Sequence, residues 1–169
     1  MWPMLAGVGP VLGDGEAGAF VRPGGQRTGW GYREADGVAV AAGGAIQARP
    51  EAPPYRLRTP GPAVAVLTGP QTASSGEFVL LAFRGRPATR SFGEPTAGVP
   101  TANQAKRLGD GAELNLTTAL GADRTGRTYD QALPPDEAVA TDWTRIESPG
   151  EDEPVLAAAL AWLRAGPCS

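Results

Sequence analysis

Short apolar runs separated by glycine and proline dominate this chain, and one pair of runs brackets a helix start signal. Ala63 to Thr68 is apolar, short and bounded by Pro62 and Gly69-Pro70, which predicts a buried strand. Ser74 and Glu77 stand three apart just before the run Phe78 to Phe83, the spacing of a capping box. A helix is therefore expected from about residue 74 to 84, ending near Gly85 and Pro87. Its apolar residues Phe78, Val79, Leu80, Leu81, Ala82 and Phe83 surround the axis, so the helix should be buried, at a gain on the order of 10 kcal/mol before entropy. A second strand over 88–92 completes a βαβ unit, with parallel strands and a right-handed crossover.

The flanking sequence is weaker in pattern. Trp2 to Val8 reads as a short helix ended by Gly9-Pro10. Residues 17–22, 28–33 and 37–42 read as an antiparallel meander turned by Gly24-Gly25 and by Glu34 to Gly37. In its middle strand Trp30 and Tyr32 share one face, suited to a core or to the wall of a peptide groove. Residues 43–62 form a Pro-rich internal loop, with Tyr55 and Leu57 as the apolar residues that would tack it to the body. Residues 101–108 and 112–120 make a hairpin through Gly109-Asp110-Gly111, followed by a turn at 124–127 and a break at Pro134-Pro135-Asp136. A last helix opens at Asp152-Glu153-Pro154, shows Val155, Leu156, Leu160 and Leu163 as its apolar face, and stops at Gly166. The expectation is one α/β domain over 1–169, a buried βαβ unit with small antiparallel strands beside it.

Composition removes whole classes of function. The 169 residues are 41% apolar and 20% charged, ordinary for a globular domain. The 24 glycines and 17 prolines are aperiodic and lie between strand-like runs, so they mark loops. Net charge is −3 with both signs interspersed, and no basic stripe offers a nucleic-acid surface. No apolar run is long enough to span a membrane, and no charged n-region precedes the first one. With no histidine and a single cysteine, Cys168, no metal site is expected. No phosphate or dinucleotide glycine motif is present either, so no cofactor is expected. The only lysine, Lys106, reads as a solvated surface charge.

Ser74 is the candidate for chemistry. A strand that breaks into a helix leaves a side chain at the helix N-terminus, beside free N–H groups and the positive end of the dipole. A hydroxyl there can be a nucleophile with a neighbouring amide holding an oxyanion. It can equally be a plain N-cap. The nucleophile needs a base and the cap does not.

Thr72-Ala73-Ser74-Ser75-Gly76-Glu77 resembles the nucleophile motif of the carboxy-terminal-processing (tail-specific) serine peptidase family. Gly93-Glu94-Pro95-Thr96-x-Gly98 resembles that family's next signature. Asp110 to Leu114 with Leu116 to Ala119 looks like its hairpin, and Leu133-Pro134-Pro135-Asp136 like its late turn. Met1 to Gly7 looks like the segment after its oxyanion loop. The resemblance covers roughly 63–142 and implies a ClpP/crotonase-like core and hydrolysis of peptide or protein substrates near their C-termini. It assigns Ser74 as nucleophile, the Ser75 N–H as oxyanion donor, Glu77 as helix cap or orienter of the base, and Gly93, Thr96 and Gly98 to the substrate side.

The departures concern the base. The tail-specific branch places a lysine 25 residues after the serine, where this chain has Val99, which cannot accept a proton. The histidine branch, which includes the nisin-resistance and tricorn proteases and the interphotoreceptor retinoid-binding repeats, takes its histidine from an upstream segment. Glu77 is itself a poor direct base for a hydroxyl because its ordinary pKa is far lower. The implied reading is a C-terminal part of a histidine-branch catalytic domain, inactive alone, with histidine and a Gly-Gly oxyanion loop supplied by polypeptide ahead of Met1. The alternative is a non-catalytic module that binds peptide or an apolar ligand on the same scaffold.

Overall fold

The computed structural model describes residues 1–53, 55–141 and 153–166. In chain order the elements are α1 (Trp2–Leu12), β1 (Gly15–Val21), β2 (Arg27–Arg33), β3 (Val38–Ala41), β4 (Ile46–Ala48), β5 (Val64–Thr68), α2 (Ser75–Phe83), β6 (Thr89–Gly93), β7 (Thr101–Arg107), β8 (Glu113–Asp123), β9 (Thr128–Tyr129), β10 (Glu137–Ala138) and α3 (Pro154–Arg164). They build two sheets. One is antiparallel, ordered β4-β3-β2-β1-β8-β7 with β9 also on β8; the other is parallel, ordered β10-β6-β5. The fold is mixed α/β as expected, but the antiparallel sheet is the larger and no mere annex. Its extent comes from β8, which runs on to Asp123 and pairs with β1, joining the hairpin to the meander.

The layers explain how α2 is held. The apolar residues of α1 and α2 pack with Ala17, Trp30, Tyr32 and Ala39 of the antiparallel sheet and with Val64 and Val66 of β5. On the other face of the parallel sheet, Phe92 and Ala65 pack under Val155, Ala158, Ala159 and Trp162 of α3. Phe78 is the pin. Its ring meets Phe20 at 5.2 Å and Trp30 at 6.0 Å, edge-on in both cases, the favoured aromatic geometry. Trp30 and Tyr32 are therefore core residues, buried to 1% and 2% exposure.

Three local expectations are corrected. The first helix continues through Gly9-Pro10 to Leu12. Leu5, Ala6, Gly9 and Leu12 face the sheet, and that burial outweighs the bond lost at proline. Gly9 is required there because a Cβ would sit 2.1 Å from the Tyr32 ring. In the Pro-rich loop, β4 adds a short pairing to β3, and Tyr55 is 70% exposed while Leu57 is half-buried. Lys106, near the end of β7, is exposed, as expected of a solvated surface charge. The α3 face that packs is Val155, Ala158, Ala159 and Trp162, while Leu163 is exposed; the i, i+3, i+4, i+7 spacing is right but rotated from the expected face. Asp152 and Cys168 lie outside the described residues.

The turn after β8 braces the C-terminal end of α2. Arg124 Nη2 donates to the Ala82 carbonyl at 2.7 Å. Asp123, buried, organises that turn. Burial raises its pKa, but hydrogen bonds from the Thr125 and Tyr129 hydroxyls and from the Thr125 and Arg127 N–H groups outweigh it and hold the carboxyl below its ordinary value. The Tyr129 hydroxyl, 2.8 Å from Oδ2, is pushed up to about 12 by burial and by that carboxylate. A depressed folded pKa stabilises above the unfolded value of about 3.9, and the gain is lost as pH falls through the folded value. Urea midpoints from neutral pH downward should show it: Asp123→Asn should lose stability near neutrality and escape part of the acid-induced decline.

Candidate active site

β5 ends at Thr68, and the chain turns through Gly69-Pro70-Gln71 with Thr72 N–H donating to Gly69 O at 2.8 Å. At Ser74 the backbone adopts φ 49°, ψ −109°. Among the described non-glycine residues only Ser74 and Ala88 have positive φ. Such a conformation costs about 1–3 kcal/mol and persists where its surroundings impose it. Here Ser74 N–H donates to Glu77 Oε2 at 2.7 Å, and Ser74 O accepts from Phe78 N–H at 3.0 Å. The capping box inferred from sequence is thus present in outline. The Ser74 hydroxyl faces the Glu77 N–H without making a regular cap hydrogen bond. At positive φ it is turned from the position an N-cap normally takes, and Ser74 is exposed.

Glu77 is the centre of the cluster. It is 0% exposed, yet no cation pairs with it among the described residues. Four donors converge on its carboxylate. Oε1 accepts from Thr96 Oγ1 at 2.6 Å and Gly98 N–H at 2.8 Å. Oε2 accepts from Ser74 N–H at 2.7 Å and Val99 N–H at 3.0 Å. A carboxylate has about four lone-pair sites, so its capacity is filled.

The second signature is drawn in by the same bonds. Thr68 Oγ1 donates to Glu94 O at 2.9 Å, Glu94 N–H donates to Thr68 O at 3.1 Å, and Ala97 N–H donates to Thr72 O at 2.9 Å. Gly93, at φ 121°, leaves no room for a side chain, since a Cβ would lie 2.2 Å from Thr68 O. Gly98, at φ 85°, is closed in by the Ala132 N–H at 2.8 Å from a would-be Cβ. Thr96 is buried, with its hydroxyl between Glu77 and the Leu133 N–H. Val99 is close to half-exposed, at 46%.

Ser75 opens α2. Its N–H has no backbone acceptor among the described residues, and its Oγ accepts from the Met1 amino group at 3.0 Å. The start of the chain therefore lies against the residue next to Ser74. Of the residues singled out from sequence, Ser74, Glu77, Thr96, Gly98 and Val99 share one carboxylate's hydrogen bonds; Ser75 adjoins them, and Gly93 is linked through Thr68. Sequence reasoning missed Thr68, Thr72 and Leu133, whose ties to the cluster cross long stretches of chain. The glycines of the second signature are the sequence hint that two backbones meet there.

Comparisons with known proteins place the chain in a family. The model of Peptidase family S41 matches residues 24–139. The nisin-resistance protein of Lactococcus lactis subsp. lactis is 42% identical over 66 residues, 39% of this chain and 21% of that protein. A lipoprotein of Streptococcus agalactiae superposes with TM-score 0.66 at 25% identity, over 96% of this chain and 49% of its own. The photosystem II D1 C-terminal processing protease shares the fold at TM-score 0.54 and 22% identity, over 83% of this chain and 31% of its own. The chain thus spans about half, or less, of the proteins it matches. With the matched range enclosing every residue from Ser74 to Val99, the chain belongs to peptidase family S41.

Proposed function

We propose that this chain carries the nucleophile of a serine peptidase of the histidine branch, acting on peptide or protein substrates near their C-termini. The observation that carries the reading is the exposed Ser74, held at φ 49° where a core strand gives way to a buried helix. Ser74 Oγ attacks the scissile carbonyl. The Ser75 N–H, which has no backbone acceptor among the described residues, donates to the oxyanion, and a glycine loop ahead of Met1 supplies the second donor. Polypeptide preceding Met1 enters beside Ser75, where a histidine from it can reach the serine. Glu77, its lone pairs occupied, caps the helix and shapes the elbow; it has no acceptor left to orient an imidazole. Gly93 to Gly98 form the wall of the substrate side, on a core of ClpP/crotonase type.

A fluorophosphonate probe tests this. The full-length protein should label at Ser74, and the isolated 169-residue chain should react no faster than an unactivated serine. Rapid labelling of the isolated chain would overturn the need for an external base.

The second reading, a binding module for peptide or apolar ligand, is favoured by Val99 standing where a lysine base would be and by the lack of histidine in this chain. A full-length protein that binds peptide but neither labels nor cleaves would establish it.

A further inference from the structure

Thr96 is the side-chain hydroxyl of the cluster whose bonds join Glu77 to the 133 segment. It is 5% exposed. Its Oγ1 donates to Glu77 Oε1 at 2.6 Å and accepts from Leu133 N–H at 2.9 Å. Its own N–H donates to Leu133 O at 3.2 Å. The direction of these bonds is fixed by chemistry. A hydroxyl has one proton, an N–H can only donate, and a carboxylate can only accept. The sequence of donors therefore runs from Leu133 N–H to Thr96, from Thr96 to Glu77 Oε1, while Ser74 N–H closes on Oε2. Leu133 is itself 0% exposed and part of the main core.

We infer that Thr96 is a positioning residue for Ser74: it anchors the Glu77 carboxylate to the rigid 133 segment, and through it fixes both the strained elbow and the Gly98-Val99 wall. The inference rests on Ser74 being the nucleophile. It departs from placing Thr96 on the substrate side, because its one hydroxyl proton is committed to Glu77 and the side chain is buried away from any substrate. Without that hydroxyl, Oε1 keeps only the 98–99 amides, and the carboxylate can rotate and carry Ser74 N–H with it. Misplacement of a reacting group by about 1 Å can cost on the order of 100-fold in rate.

The test uses the full-length protein and a rhodamine fluorophosphonate, which separates the labelling step (kinact) from probe binding (KI). Thr96→Val should lower kinact per labelled site by about 10- to 100-fold and leave KI nearly unchanged. Thr96→Ser, which keeps the hydroxyl, should restore most of the rate. A residue that only holds the fold would change the melting temperature and the fraction of protein labelled, and leave kinact per labelled site alone. If Thr96→Val does not fold by circular dichroism, Thr96→Cys, with a weaker S–H donor, takes its place and should label more slowly than Thr96→Ser; a rate equal to that of Thr96→Ser would overturn the inference. Labelling that survives Ser74→Ala removes the peptidase reading and this inference together. Labelling lost in Ser74→Ala but unchanged in kinact in the hydroxyl-free variant removes the inference alone.

Discussion

In the full-length protein, Ser74→Ala should lower kcat against a cleavable peptide by about four to six orders of magnitude while KM changes little. The loss is that large because, in the proposed function, the hydroxyl forms the covalent bond, and neither oxyanion donors nor substrate-wall contacts replace it. A companion variant separates chemistry from architecture. Ser74 is held at φ 49°, ψ −109°, a conformation in which any Cβ is strained and glycine is not. Ser74→Gly should be as inactive as Ser74→Ala but more stable than it, and more stable than the wild type by about 1 kcal/mol. Alanine keeps the Cβ and so relieves nothing. A serine kept where glycine would be more comfortable is the signature of a site that trades stability for reactivity. Activity and urea midpoints on the three proteins decide it; wild-type turnover by either variant would remove Ser74 from the chemistry.

How far the sequence shows this depends on the range over which each interaction acts. The βαβ unit was legible because its signals are local. Proline and glycine bound β5, the Ser-x-x-Glu spacing starts α2, and an all-round apolar run says that α2 is buried. The first helix runs past Gly9-Pro10, a local breaker in sequence, because Leu5 and Leu12 are buried against β2 and β3, which neighbours in sequence do not reveal. The size of the antiparallel sheet was underestimated for the same reason: nothing in β8 announces that Gly121 to Asp123 will continue onto β1 and β9. At the site, the contact between Glu77 and Ser74 is three residues long and was anticipated. The contacts from Glu77 to Thr96, Gly98 and Val99 span 19 to 22 residues and follow from how β6 returns beside β5, which periodicity does not encode. The family resemblance supplied that proximity as a list of residues, and the structure supplies the carboxylate that joins them.

That carboxylate carries the second large effect, on stability. Glu77→Ala should cost about 3–5 kcal/mol, since it leaves three backbone N–H groups and the Thr96 hydroxyl without their acceptor and opens a hole beneath the elbow. For a domain of this size such a loss lowers the melting temperature by roughly 10 °C. Glu77→Gln, nearly the same shape, separates packing from hydrogen bonding. Its single carbonyl oxygen can serve two donors, but its NH2 then faces the others, donor against donor. Gln should therefore recover the packing part and still be clearly less stable than the wild type, whereas a carboxylate that merely filled space would be replaced without loss. The damage should also be local in its first stage. Amide exchange should quicken at Ser74, Gly98 and Val99, whose N–H groups end on this carboxylate, before it quickens at β2 or β3, which are tied to the antiparallel sheet. Exchange that rises evenly over both sheets would mean that Glu77 supports the whole fold rather than the elbow. An unchanged rate at those three amides would mean that Ser74 is held in its strained conformation by the helix and the turn alone.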